Sequence, residues 1–312
     1  MFHLTVPAVL CTFNRYDTSM EVFAKIREAA PSKLYLVSDA ARESKENEKE
    51  IVERIRTEIE NGVDWPCELV KVYADQNMGC ARRITSALDY VFEREESAII
   101  LEDDCLPADS FFEYCQTLLE QYRNDDRIMS VGGSTIIDYR PQQDIDYYFT
   151  TEFCCCGWAT WRRAWKLFDF DMKDYPEKIK EEYGYIKKTV FSKKAFWNYT
   201  AQWKQLYQSE KKSSWAYIFF YESIIHHKLH IMSSVNLIKN LGFDKEATHT
   251  GKPLDYYVTD IQELSFPLRA PDAVERNVQY DSQIYRITQK AGLIIKIKEL
   301  LGLDINKSIF KR

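Results

Sequence analysis

Two hydrophobic periods alternate through the first 135 residues. Apolar runs at residues 5–12, 33–37, 68–73, 98–101 and 128–132 read as strands. Between them, apolar residues recur three or four positions apart within polar stretches, the spacing of half-buried helices. The stretch 18–29 presents Met20, Val22, Phe23 and Ile26. A charged segment, 42–50, leads into a helix carrying Ile51, Val52, Ile55 and Ile59 until Asn61-Gly62 stops it. Residues 80–92 align Ile84, Leu88, Val91 and Phe92. Residues 109–122, opened by Pro107, pack through Phe111, Phe112, Cys115 and Leu119. Strand and helix in strict alternation predict an α/β domain with a mostly parallel, doubly wound sheet flanked by helices.

After Gly133 the alternation breaks down. Residues 147–163 are dense in aromatics and cysteine, 173–212 are rich in Lys and Glu with helical character, 216–230 read as an apolar helix, and 231–237 return to the sheet. The chain therefore divides into an α/β half at 1–135, an elaboration of the same sheet at 136–270, and a tail at 271–312. No internal repeat or low-complexity segment interrupts it.

Composition narrows the options. A length of 312 residues accommodates one large domain or two smaller ones, and 45% hydrophobic with 29% charged residues is ordinary for a globular chain. A net charge of −6 argues against broad nucleic-acid binding. The eight cysteines form no CxxC pair, which excludes a zinc framework of that spacing. Three of them are consecutive, Cys154 to Cys156, which argues against a disulfide scaffold and for a reducing cytosol. No signal peptide and no run of 18 apolar residues is visible, so no membrane-spanning helix is expected.

The chemistry concentrates where the strand 98–101 runs directly into Glu102, Asp103 and Asp104. A run that is apolar on both faces belongs to a parallel sheet, and such sheets bind ligands at the carboxyl ends of their strands. Three adjacent carboxylates repel one another; a hard divalent cation, Mg2+ or Mn2+, bridging to a phosphate would relieve that. The plainer alternative is an acidic surface turn. The first strand is followed by Thr12-Phe13-Asn14-Arg15, without the GxGxxG of a dinucleotide fold, and no GxxxxGK[ST] loop occurs.

Six short motifs in order carry a family resemblance: Thr12-Phe13-Asn14-Arg15 after the first strand, Asp39 after the second, Asn77-Met78-Gly79 with Arg82 after the third, Glu102-Asp103-Asp104, Gly157-Trp158-Ala159-Thr160-Trp161-Arg162, and Gly242-Phe243-Asp244 with Ala247-Thr248-His249. Over residues 5–250 the chain resembles the GT-A class of nucleotide-sugar glycosyltransferases, including the N-acetylglucosaminyltransferase I-like members and bacterial surface-polysaccharide enzymes. The resemblance implies a Rossmann-like GT-A fold whose first half binds a nucleoside-diphosphate sugar and whose second half binds a glycan or lipid-linked acceptor. It implies donor contacts at Thr12, Asn14, Arg15, Asp39, Asn77, Gly79, Arg82, Glu102 and Asp103. It implies Mn2+ or Mg2+ held by Asp104 and His249, and acceptor contacts at Gly157, Trp158, Trp161 and Trp215. Asp39 stands where relatives read the base, which points to a UDP-sugar.

Some readings stay open at this level. Trp158 and Trp161 read as a sugar platform or as core. Inverting relatives carry an Asp in a WDxQ-like segment as base; the matching segment here is Trp215-Ala216-Tyr217-Ile218, with Ala216 in its place. Glu222 is the nearest carboxylate, and with Asp103 it is the candidate catalytic group; inversion and retention are both open. A sugar-nucleotide pyrophosphorylase would need a Gly-rich loop after the first strand, which CTFNR does not supply. A degenerate glycan-binding or scaffold protein is the remaining alternative. From Arg286 to Arg312 the tail holds seven basic and two acidic residues with Ile287, Ala291, Ile294, Ile295 and Leu301 at helical spacing. It reads either as a helix docked on the domain or as a peripheral anchor on an anionic inner membrane face.

Overall fold

The computed structural model describes residues 2–135, 145–190, 192–242 and 260–287. Four strands of the first half lie parallel: β1 (Ala8–Thr12), β2 (Lys33–Ser38), β3 (Glu68–Tyr73) and β4 (Ser97–Glu102). Helices α1 (Tyr16–Ala29), α2 (Glu48–Gly62) and α3 (Cys80–Phe92) connect them. The register sets Leu10 opposite both Leu36 and Leu101. Side chains alternate across a strand, so Leu10, Leu36 and Leu101 pack under α1 and α2, while Val9, Tyr35, Val37 and Ile100 pack under α3. Both faces of β1, β2 and β4 are covered, and that is why their central positions are apolar throughout; β3, at the edge of the sheet, is only half-buried and carries Lys71.

The chain then makes β5 (Cys105–Pro107), α4 (Phe111–Gln121) and β6 (Ile128–Gly132). Pro107 ends β5; it does not open the helix, as the sequence suggested. The start of α4 is instead satisfied from a distant segment: the Asp109 and Ser110 N–H groups donate to Glu263, at 3.1 and 2.8 Å.

The second half joins the same sheet. β7 (Tyr147–Thr150), β8 (Trp158–Trp161) and β9 (Leu229–Ser233) complete eight strands in the order β3-β2-β1-β4-β8-β6-β9-β7. β8 is antiparallel to both β4 and β6, with Trp158 opposite Ile100 on one side and Gly132 on the other. The short α5 (Arg162–Trp165) follows β8. α6 (Tyr175–Glu181), α7 (Tyr183–Thr189), α8 (Lys193–Gln208) and α9 (Trp215–Ile225) pack around the buried Trp203, Tyr221 and Ile218. The helix expected over 216–230 stops at Ile225, because β9 claims the chain from Leu229. β10 (Ile238–Asn240) pairs antiparallel with β5 as a two-stranded clip beside the end of β4. Residues 278–287 form a further helix. The basic tail predicted beyond it lies outside the described residues from 288 onward. Among the described residues no helix is long and apolar enough to cross a membrane.

Candidate active site

The carboxyl ends of β1, β2 and β4 meet at one edge of the sheet, and the predicted donor loop and acidic motif converge there. The Phe13 N–H donates to Asp103 at 3.1 Å, and the Arg15 guanidinium donates to Asp104 at 2.5 Å and stands 3.7 Å from Asp103. Thr12 is buried, its hydroxyl donating to the Val37 carbonyl at 3.2 Å. Asn14 turns away and donates to Glu48 at 2.9 Å. Glu48, at the first position of α2, also accepts from the Arg42 N–H at 2.7 Å, and the Arg42 guanidinium holds its carboxyl below the usual range. Sequence reasoning missed this pair. In a run of alternating charges nothing marks one carboxylate as buried.

Burial dominates the electrostatics of the acidic motif. It raises Glu102 well above the ordinary carboxylate range, helped by Asp104 and by Cys156. Asp103 is pushed up to about 7 by burial and by Asp104, against the opposing pull of Arg15 and the Phe13 N–H. Even with Arg15 opposing, Glu102 and Asp103 hold their protons more tightly than free carboxyls, and a cation would displace those protons. Oxygen-only donors of this kind fit a hard divalent cation. Asp103 and Asp104 are the groups that would hold it. Among the described residues no three His, Cys, Asp or Glu side chains form a complete ligand set, and the predicted ligand His249 lies outside the described residues.

Backbone closes over the motif from the far side. The Leu241 N–H donates to the Asp104 carbonyl at 2.7 Å. A Cβ on Gly242 would stand 2.3 Å from the Asp104 carboxylate, so a side chain here would push that carboxylate out of its present place beside Arg15. The GF segment of the sequence thus begins against the carboxylates.

Asp39 anchors the neighbouring loop. Its carboxylate accepts from the N–H groups of Ala40 at 2.9 Å, Met78 at 3.0 Å and Gly79 at 2.9 Å, while Asn77 donates to the Ala40 carbonyl at 2.7 Å. The two predicted donor loops are therefore one hydrogen-bonded unit. Arg82 is exposed on the first turn of α3, its guanidinium 4.5 Å over the Phe170 ring.

Several predicted roles do not survive. Trp158, Trp161 and Trp215 are only 0, 2 and 4% exposed. Trp158 stacks on Trp215 at 5.4 Å between centroids, and Trp161 donates its indole N–H to the Leu119 carbonyl at 3.0 Å. None of the three offers a face to an acceptor; they are core because each lies on β8 or against it, in mid-sheet. Gly157 (φ +63°) serves packing as well: a Cβ there would meet Ile238 at 2.3 Å. Glu222 sits seven residues beyond Trp215, about 10 Å down the helix, and α9 descends toward the edge opposite the carboxylates, where β9 begins beside Ile128. There its carboxyl is buried, 3.5 Å from His226 and accepting from the Asp169 N–H. It is a structural carboxylate, not a base.

No protein-family model and no curated protein matches the chain. Among solved structures it is similar to a mannosyltransferase, PcManGT, from Pyrobaculum calidifontis in complex with GDP-Man and Mn2+, at 15% identity and TM-score 0.37, covering 73% of this chain and 71% of that one. It is similar to residues 1–349 of S. aureus TarS, at 10% identity and TM-score 0.39, covering 74% of this chain and 57% of that one. An apo UDP-glucose pyrophosphorylase gives 10% identity and TM-score 0.37, covering 73% and 90%. At such identities and TM-scores these likenesses lend nothing to the assignment of activity.

Proposed function

We propose that this chain is a metal-dependent glycosyltransferase that moves a sugar from a nucleoside diphosphate, UDP in the first instance, to a hydroxyl of a glycan or lipid-linked oligosaccharide. One observation carries the reading. Three carboxylates crowd the end of β4 under burial that raises Glu102 and Asp103, with Arg15 at Asp104 and the backbone of Gly242 pressed against the same group. With one guanidinium beside three crowded carboxyls, Glu102 and Asp103 hold protons that a divalent cation would displace. Mn2+ or Mg2+ at Asp103 and Asp104 would neutralise the diphosphate as it leaves. Arg15 is placed to trade its carboxylate for a phosphate oxygen. The unit of Asp39, Asn77 and Gly79 forms the floor for the nucleoside, and Thr12 fixes the spacing of β1 and β2 beneath it. Polysaccharide assembly at the inner membrane face, with peripheral attachment through the basic tail, is the setting this reading favours.

Thermal-shift screening of UDP, GDP and their sugars with Mn2+ tests it. A nucleotide at 100 times its dissociation constant adds about 2.7 kcal/mol of stability. UDP with Mn2+ is expected to stabilise the wild type and not Asp104→Ala, and Asp104→Ala is expected to retain less than about a tenth of wild-type release of nucleoside diphosphate, a barrier change above about 1.4 kcal/mol. Equal stabilisation of both proteins would refute the assignment; stronger stabilisation by GDP would refute the uridine preference.

A further inference from the structure

The second half of the chain carries a positive surface on an acidic protein. Residues 173–212 hold ten lysines and five acidic residues, in a chain whose net charge is −6. α8 has no acidic residue at all. Its buried side presents Ala195, Phe196, Trp203 and Leu206 to the helices around it. At about 100° per residue, Lys193, Lys194, Trp197 and Lys204 share the opposite stripe, and all four are exposed. Trp197, at 64%, is the most exposed large apolar side chain among the described residues. Phe196 links it to α7, meeting the Trp197 ring edge-on at 5.4 Å and the Tyr183 ring edge-on at 5.0 Å between centroids. The Lys187 ammonium stands 5.9 Å over that same Tyr183. Lys193 and Lys194 lie one turn before Trp197, so a single patch runs from α7 onto α8.

Two features set this patch apart from an ordinary solvated face. Lys178, on α6, pairs with Glu181 at 2.8 Å, but among the described residues Lys187, Lys188, Lys193, Lys194 and Lys204 enter no ion pair. Lys193 and Lys194 also stand in the first turn of α8, where the helix dipole disfavours cations. The exposed large apolar side chains of α7, α8 and α9 are Tyr183, Trp197, Tyr207 and Tyr217, every one a ring with a polar tip. Such rings among lysines have the composition of a membrane interface: the ring lies at headgroup depth and the ammonium groups reach lipid phosphates. Interfaces between proteins are poor in lysine.

We propose that this face of α7 and α8 docks on an anionic lipid surface, with Trp197 at headgroup depth and Lys187, Lys188, Lys193 and Lys194 over the lipid phosphates. The attachment depends neither on sugar transfer nor on the basic tail, and it gives the membrane setting a structured point of contact. Each lysine at a negative leaflet adds a similar increment, so affinity should fall about fivefold for each one replaced.

The test uses the full chain and vesicles of phosphatidylcholine, alone or mixed with phosphatidylglycerol, whose acyl chains carry bromine. Bromine quenches an indole that enters the bilayer, and of the seven tryptophans only Trp197 is exposed. Wild type is expected to pellet with the mixed vesicles and not with phosphatidylcholine alone, to lose emission to the brominated chains, and to be released as salt rises. Trp197→Phe should still pellet with the mixed vesicles but without that quenching. Joint replacement Lys193→Gln and Lys194→Gln should weaken binding by about 25-fold at an unchanged melting temperature. Pelleting without quenching would assign the attachment to another part of the chain and overturn the inference. Quenching that survives in Trp197→Phe, equal binding to phosphatidylcholine alone, or a double lysine variant within twofold of wild type would overturn it too. Release from the vesicles by an equal charge of polyglutamate would assign the patch to an acidic macromolecule instead. None of these results bears on nucleotide stabilisation, so the transfer reading stands or falls separately.

Discussion

Replacing Asp103 by Asn should change the pH dependence of stability by a calculable amount. The carboxyl is 8% exposed and titrates at about 7 in the folded chain, against about 3.9 when unfolded. A raised pKa means that the folded state binds the extra proton between those values, so folding loses stability as pH rises through the window. Linkage over some three units gives a cost of about 1.5 kcal/mol at pH 5 and about 4 kcal/mol at pH 8. Asn at this position does not titrate. The difference in unfolding free energy between variant and wild type should therefore move by about 2.5 kcal/mol in favour of the variant between pH 5 and pH 8. Every other titrating group cancels in that difference, apart from those coupled directly to Asp103. Urea denaturation of both proteins at the two pH values, in the presence of a chelator, measures it. A difference that stays constant across this range, or that moves toward wild type, would refute the picture of crowded, buried carboxyls that hold their protons.

Two further expectations follow from the packing. Gly242→Ala forces a methyl into the Asp104 carboxylate and should abolish stabilisation by UDP with Mn2+ while the melting temperature of the free chain shifts by less than a few degrees; unchanged nucleotide stabilisation would show that this approach does not matter. Trp158→Ala removes a fully buried indole stacked on Trp215 and should cost about 3–5 kcal/mol by denaturant unfolding, whereas a surface platform would cost little.

The first half was readable because its physics is local. A parallel strand covered on both faces must be apolar along its centre, and a helix lying on such a sheet must show one apolar stripe, so β2, α3 and β6 announce themselves. The position of Glu102, Asp103 and Asp104 followed from the same rule. The second half was harder because tertiary partners decide it. Trp158-Ala159-Thr160-Trp161 reads as aromatic surface or as core until its neighbours are known, and those neighbours, β4 and β6, are distant in sequence. β5 and β10 are three residues each, too short to show a period. Glu222 could be placed on a helix, but no spacing reveals which end of that helix approaches the site.

The reversed strand β8 also bears on how the chain can be cut. β4 and β6 both belong to the first 135 residues, yet they do not touch in the sheet; β8, contributed by the second half, is laced between them. A fragment ending before β8 would leave the β4 edge bare, with unpaired backbone groups along an apolar strand, the kind of edge that recruits other chains. Supplying residues 145–287 as a second polypeptide should therefore rescue such a fragment by strand insertion, not by docking of two finished bodies. The carboxylate edge and the second half of the chain are in this sense parts of one sheet, and their relative placement is fixed by its hydrogen bonds.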